Sequence, residues 1–324
     1  MALKRILTVT GACLMLLSAF TGPSFAEQWP SRTVHVVVPY GAGGVTDTMA
    51  RLTADRLGKI FHQTFVVENK PGAGGAIGVS YAMHAAQDGY TILFVGSTLF
   101  TVLPLARDVN YVPLKDLVPV SITGTNGMVM VVNKDEPYST FREFVDYVKA
   151  NPGKVTYASG GVATNNHLDT AYLAGMEKLN MVHVPFTGGQ AALAAVLGKS
   201  VDMHFGNSSD LIEPVKNGLV KAIAVSTPKR MPQLPNVPAV AETIPGFEYI
   251  AWNGYAVTGG VPHEVIARLE QALQTIAKDA EVIKVFSNLG IDSVGSTQAQ
   301  ALQSLKKDMP VYSQMVDMAG VRKK

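Results

Sequence analysis

The chemistry this chain can offer sits in its glycine turns. Gly41-Ala42-Gly43-Gly44-Val45-Thr46-Asp47 places three glycines within four residues, just ahead of Met49-Ala50-Arg51-Leu52, which reads as helix. Glycine lets the backbone turn tightly and approach a ligand closely. Thr46 or Asp47 can cap that helix. The free N–H groups of a helix start, with the positive end of the dipole, form a site for an anion. A carboxylate held at this turn is the expected chemistry. Asn69-Lys70-Pro71-Gly72-Ala73-Gly74-Gly75 is a second such turn, and Ser159-Gly160-Gly161-Val162-Ala163-Thr164-Asn165-Asn166 a third. Phe186-Thr187-Gly188-Gly189 opens another helix, and Gly206-Asn207-Ser208-Ser209 closes a strand. Each has an architectural alternative. The first can be a plain strand-to-helix turn, with Asp47 as a cap. Gly72 to Gly75 can let a helix approach a sheet. Thr164-Asn165 can be an N-cap pair, and Asn207 a loop cap.

Other chemistries are disfavoured. Thr46 stands where the dinucleotide fingerprint needs its third glycine. Neither a Gly-x-x-x-x-Gly-Lys-Ser/Thr phosphate loop nor a Gly-x-Ser-x-Gly elbow is present. No histidine pair has metal-ligand spacing, so neither a metal nor a cofactor is expected. His183 and His204 lie in apolar strand contexts, and His167 is read as packing its helix. With 27 Lys and Arg against 25 Asp and Glu, of which Lys4 and Arg5 fall in the leader, the body is balanced. Only the terminal Arg322-Lys323-Lys324 is a basic run, so no nucleic acid partner is expected.

The elements that carry these turns alternate as strand and helix, which is the α/β class. Val34-His35-Val36-Val37-Val38 suits a parallel strand buried on both faces. Phe65 to Glu68 and Thr91 to Val95 follow as strands, with Ala76 to Ala86 as a helix between them. Two strand–glycine–helix units put two loops at one carboxyl sheet edge, where open α/β sheets bind ligands. Val118 to Thr123 and Met128 to Val132 read as strands broken by Gly124-Thr125-Asn126-Gly127, a crossing into a second domain. There Thr140-Phe141-Arg142-Glu143 is a capping box. Strands over Val155 to Ala158, Val182 to Val184, Val201 to Phe205 and Lys221 to Val225 alternate with helices over His167 to Leu179 and Gln190 to Leu197. Ile250 to Val257 is the return crossing, where Trp252 and Tyr255 either touch ligand or pack at a hinge. Three helices end the chain, the last with the box Thr297-Gln298-Ala299-Gln300 and a kink at Pro310. They are expected to pack on the first sheet. Residues 27–125 with 250–324 would then form a discontinuous first domain, and 126–249 the second.

The first 26 residues read as a secretory signal: Lys4 and Arg5, an apolar run from Ile6 to Phe20, and a small-x-small site at Ser24-Phe25-Ala26. The lone cysteine, Cys13, lies inside it and is followed by Leu14-Met15-Leu16-Leu17, which argues against lipidation. The body then lacks any disulfide, which fits a periplasmic protein.

In order and at the right spacing, several stretches resemble one family. They are Trp29-Pro30-Ser31-Arg32, Val36-Val37-Val38-Pro39-Tyr40, Gly43 to Asp47, Val66 to Gly75 and Asp88-Gly89-Tyr90-Thr91, then Tyr157 to Gly161, His183 to Gly189 and Pro235-Asn236-Val237-Pro238. These resemble the Bug (Bordetella uptake gene) family, periplasmic solute receptors of tripartite tricarboxylate transporters. The resemblance implies a two-domain Venus-flytrap fold, with mixed sheets flanked by helices and two crossover strands. It implies a monomer that takes a small organic carboxylate in the interdomain cleft and delivers it to membrane permease subunits, with no catalysis. Carried over, the ligand residues would be Gly43, Gly44, Val45, Thr46 and Asp47, with Gly74 and Ser97 nearby, facing Val162, Ala163, Thr164, Asn165, Thr187, Gly188 and Asn207. Two features depart from the family's pattern: the Gly161-to-Asn165 loop lacks its commoner serine and proline, and Asn207 stands where aspartate is common. The identity of the ligand is therefore open. A co-receptor for a membrane sensor kinase would use the same cleft; an exported enzyme is the remote alternative.

Overall fold

A computed structural model describes residues 28–324, so the leader read in residues 1–26 lies outside the described residues. All elements below fall within Arg32–Lys324. Two sheets carry the architecture. The first has the order β11-β4-β10-β3-β1-β2. Its strands are β1 (Val34–Val38), β2 (Phe65–Asn69), β3 (Thr91–Gly96), β4 (Leu117–Asn126), β10 (Ala251–Thr258) and β11 (Ile291–Ser293). β1 runs parallel to β2 and β3, whereas β10 is antiparallel to both β3 and β4. The second sheet, β7-β6-β8-β5-β9, is built from β5 (Met128–Asn133), β6 (Thr156–Ser159), β7 (Val182–Pro185), β8 (Met203–Asn207) and β9 (Val220–Val225). Its β6 is parallel to β7 and β8, and its β5 antiparallel to β8 and β9.

Helices cover the sheets because their strands are apolar on both faces. In β1, Val34, Val36, Val37 and Val38 are fully buried. In β5 the two-residue period splits one buried strand between two cores. Met128, Met130 and Val132 join the cluster under α5 (Phe141–Ala150) and α6 (Asn165–Glu177). Val129 and Val131 join the one under α7 (Gly189–Leu197) and α8 (Ser208–Lys216). The first sheet is flanked by α1 (Val45–Phe61), α2 (Ala76–Met83), the short α3 (Thr98–Thr101) and α4 (Leu103–Ala106), then α9 (His263–Ile276), α10 (Ala280–Asn288) and α11 (Gln298–Met318). Both capping boxes form. Glu143 N donates to Thr140 Oγ1 at 3.2 Å, and Gln300 N to Thr297 Oγ1 at 3.1 Å.

The crossing strands differ from the sequence expectation. β4 runs unbroken to Asn126, and Gly127 alone separates it from β5. Asn126 pairs in register with Ala251 of β10, so the outward and return crossings lie side by side. Ser226 clasps them: its Oγ accepts from Met128 N at 2.8 Å and donates to Tyr249 O at 2.5 Å. α11 also departs from expectation. Ala301 and Leu305 pack in the first-sheet core, but Tyr312, Met315 and Val316 belong to the core of the second sheet. The closing helix therefore spans both, with Pro310 inside it. α3, α4, α8 and β11 were not legible in the sequence pattern, since each is short or carries a proline.

Two outcomes test this packing. A Cβ on Gly254 would stand 2.1 Å from Ser121 O, at the register shift between β10 and β4. Gly254→Ala is expected to cost about 1–3 kcal/mol or more in denaturant unfolding. Asp169 is fully buried in α6, and its Oδ2 has no hydrogen-bond partner. Burial pushes its carboxyl well above the usual range, against hydrogen bonds from Thr170. The native state thus holds a proton that the unfolded chain releases near pH ~4. The associated stability is complete below that pH and declines as pH rises toward the native value. Asp169→Asn should exceed wild type in melting temperature at neutral pH, with the gap closing near pH ~4; parallel pH profiles would refute the buried neutral acid.

Candidate functional site

A cavity of about 470 Å³ opens between the two sheets, beside the crossing strands. Its size is that of a small-molecule site. Of the residues singled out in the sequence, Gly44, Val45, Thr46 and Gly74 line it on the first-sheet side. Val162, Ala163, Thr164, Asn165, Gly188 and Asn207 line it on the other. Gly43, Asp47, Ser97 and Thr187 do not form its wall.

On the first-sheet side, the helix starts two or three residues earlier than a cap at Thr46 or Asp47 would place it. Gly44 is the N-cap of α1, with no side-chain cap, so neither Thr46 nor Asp47 fills that role. The first intrahelical bond is Thr48 N to Gly44 O at 2.9 Å. The amides of Val45, Thr46 and Asp47 therefore find no acceptor among the described residues, as the first turn of a helix requires. Thr46 Oγ1 donates to Asn253 Oδ1 at 3.1 Å, which ties the turn to β10. Asp47 is only 3% exposed and works behind the turn. Its Oδ2 accepts from Gly43 N at 2.9 Å and Arg51 Nε at 3.0 Å, and its Oδ1 from Asn69 Nδ2 at 2.9 Å. Burial alone would raise this carboxyl, but the bonds from Arg51, Gly43 and Asn69 outweigh it and hold the pKa below the usual value. Gly43, at φ +82°, adopts the left-handed turn this knot needs. Ser97 is likewise buried, with its Oγ 3.0 Å from Tyr312 OH.

The second glycine turn divides its work. Gly74 reaches the cavity, whereas Gly75 is where the chain packs closely: a Cβ there would meet Leu99 Cδ2 at 2.7 Å.

On the opposite side, Thr164 is the N-cap of α6, but its Oγ1 turns to Gly161 O at 2.7 Å instead of capping. The amides of Asn165 and Asn166 are left without acceptors among the described residues, since the helix ladder begins with His167 N and Leu168 N on Thr164 O. Asn165 Oδ1 is buried without a hydrogen-bond partner. The Ala163 amide is not available to a ligand, because it donates to His167 Nδ1 at 3.2 Å. His167 stacks on His183 with centroids 3.8 Å apart, and His183 Nε2 lies 2.6 Å from Ser159 Oγ. Burial, aided by His183, lowers His167 to about 4, and burial also lowers His183. These rings stay neutral at neutral pH and brace the loop from behind. The N-cap of α7 is Gly188, φ +110°, again without a side-chain cap. Gly189 and Gln190 also line the cavity. Thr187 is exposed beside it.

Helix starts from α1, α6 and α7 thus converge on one cavity, each adding a positive dipole end. The sequence reading missed Asn126, Asn253, Arg107 and Asp210 on the same wall. Asn126 fell in the stretch Gly124 to Gly127, read only as a break between strands, and Asn253 in a return strand weighed only for Trp252 and Tyr255. Arg107 and Asp210 follow or lie in short helices the pattern did not reveal. Burial raises the Asp210 carboxyl, against bonds from Gln190 and Asn207. Trp252 faces the cavity, but Tyr255 is packed away, its OH 2.9 Å from Thr53 Oγ1.

A sequence profile described as "tripartite tricarboxylate transporter family receptor" matches residues 49–318. Among solved structures, the periplasmic binding protein BugD is similar with a TM-score of 0.80 and 32% identity, over 91% of this chain and 100% of that one. A protein of R. palustris solved with adipate gives a TM-score of 0.83 at 26% identity, over 91% of this chain and 99% of its own. MatC from Rhodopseudomonas palustris, solved with malate, gives 0.79 at 28% identity, over 89% and 100%. The two flanked sheets are accordingly those of a two-domain periplasmic binding protein. With the profile spanning most of its length, the chain belongs to the tripartite tricarboxylate transporter receptor family, a family of solute-binding receptors.

Proposed function

We propose that this protein captures a small organic carboxylate in the cavity between its two sheets and delivers it to the membrane subunits of a tripartite transporter. One observation carries the reading: Val45 and Thr46 from one lobe, and Asn165 and Asn166 from the other, line the same cavity, and their amides have no acceptor among the described residues. A carboxylate bridging them would stabilise a closed arrangement of the lobes. Similar proteins solved with adipate and with malate support an organic acid as ligand. In this reading residues 32–125 with 250–324 form one domain and 126–249 the other, with α11 lying across both. The protein acts as a monomer in the periplasm, exported by the leader that ends near Ala26. It performs no covalent chemistry.

Thermal-shift titration with di- and tricarboxylates and aromatic acids tests the proposal. An acid at a hundred times its Kd should stabilise the protein by about 2.7 kcal/mol; a set of acids without effect on the midpoint would rule the proposal out. Asp47 provides a second test. Asp47→Asn loses the acceptor that holds Gly43 N–H and Arg51, so stability should fall by about 1–3 kcal/mol, and acid affinity should fall with it because the turn loosens. A carboxyl with a lowered pKa contributes stability above its unfolded pKa and loses it as pH falls through the folded value. The gap between wild type and Asp47→Asn should therefore narrow below pH ~4; a gap constant with pH would contradict the role given to the carboxylate.

A further inference from the structure

The glycine turns account for one anionic end of a ligand; the cavity wall also holds a cation they do not explain. Arg107 follows α4, which brings Leu103, Ala106 and Arg107 to the wall. Its guanidinium carbon lies 4.0 Å from where a Cβ on Gly74 would stand, so it reaches over the second glycine turn. Its side chain is exposed and, among the described residues, has no hydrogen-bond or ion-pair partner. The adjacent acid is taken, since Asp108 Oδ1 pairs with Lys323 Nζ at 3.1 Å. The cavity's own acid, Asp210, is held by Gln190 at 3.4 Å and by Asn207. Arg107 is thus a charged fork at a ligand cavity with no counter-charge among the described residues.

We infer that Arg107 is a specificity-determining residue that takes a second anionic group of the ligand, so that the cavity selects dianionic acids over monoanionic ones of equal length. The inference rests on the carboxylate-receptor reading above. A guanidinium matches a carboxylate in a planar, two-bond geometry that a lysine cannot reproduce. Gly74 puts no side chain beneath the fork, where a Cβ would stand 4.0 Å from the guanidinium carbon. Helix-start amides would anchor one end of the acid and Arg107 the other, which makes ligand length a selected property.

Calorimetry with adipate against hexanoate, and succinate against butyrate, on wild type, Arg107→Gln and Arg107→Lys tests this. Wild type should favour the better-fitting diacid over its monoacid by about tenfold or more, the value of a charged hydrogen-bond pair. Arg107→Gln should weaken the diacid by roughly 10- to 100-fold and leave the monoacid within about twofold. Arg107→Lys should recover part of the loss. Unfolding midpoints should match wild type, because the side chain bonds to nothing. Equal losses for both acids, or no loss for either, overturn the role of Arg107 and leave the receptor reading standing. If the monoacids bind too weakly to read, undiminished diacid binding in Arg107→Gln overturns it equally. A wild-type protein that binds no acid overturns both.

Discussion

A helix cannot satisfy the N–H groups of its own first turn. Where such a start is remote from the cavity, this chain often supplies a side chain: Thr140, Asp279 and Thr297 all accept from the amides that follow them. At the cavity it does the opposite. Gly44 and Gly188 have no side chain to offer, and Thr164 turns its hydroxyl back to Gly161. Three helix starts are left at one cavity, their donors unmet among the described residues. That arrangement favours an anion without requiring any charged side chain near the anchored end, and the glycines allow the ligand to reach the backbone.

The rest of the molecule holds those starts in place. Parallel strands deliver each turn to the carboxyl edge of its own sheet: β1 leads to Gly44 in the first, β6 to the Ser159–Thr164 loop and β7 to Gly188 in the second. Behind the turns lie groups that never touch the cavity. Asp47 binds the first turn to Arg51 and Asn69, and the stacked His167 and His183 support the third. The lobes meet through β4 and β10, pinned by Ser226, and through α11, whose two halves lie in different cores. Movement of one lobe against the other must therefore act on two strands and one helix together.

Much of this was legible in the sequence, for physical reasons that also explain the gaps. The valine run of β1, the glycines after it and the boxes at Thr140 and Thr297 are local signals, and each appears where its local chemistry puts it. The anchor loops could be placed because a strand–glycine–helix order fixes which sheet edge they occupy. Asp47 and Ser97 could not be separated from the wall by sequence, because a side chain one position along a turn can point inward or away. Arg107 and Asp210 carried no periodic signal, since α3 and α4 are single turns and α8 contains Pro214. The division of α11 between two cores was invisible because one apolar stripe serves both.

The most direct measurement is a crystal structure of the protein with a bound organic acid. The account predicts one carboxylate of that acid within hydrogen-bonding distance of the Val45 or Thr46 amide and, across the closed cleft, of the Asn165 or Asn166 amide. An acid seated elsewhere, or held by side chains alone with those amides turned to solvent, would contradict it.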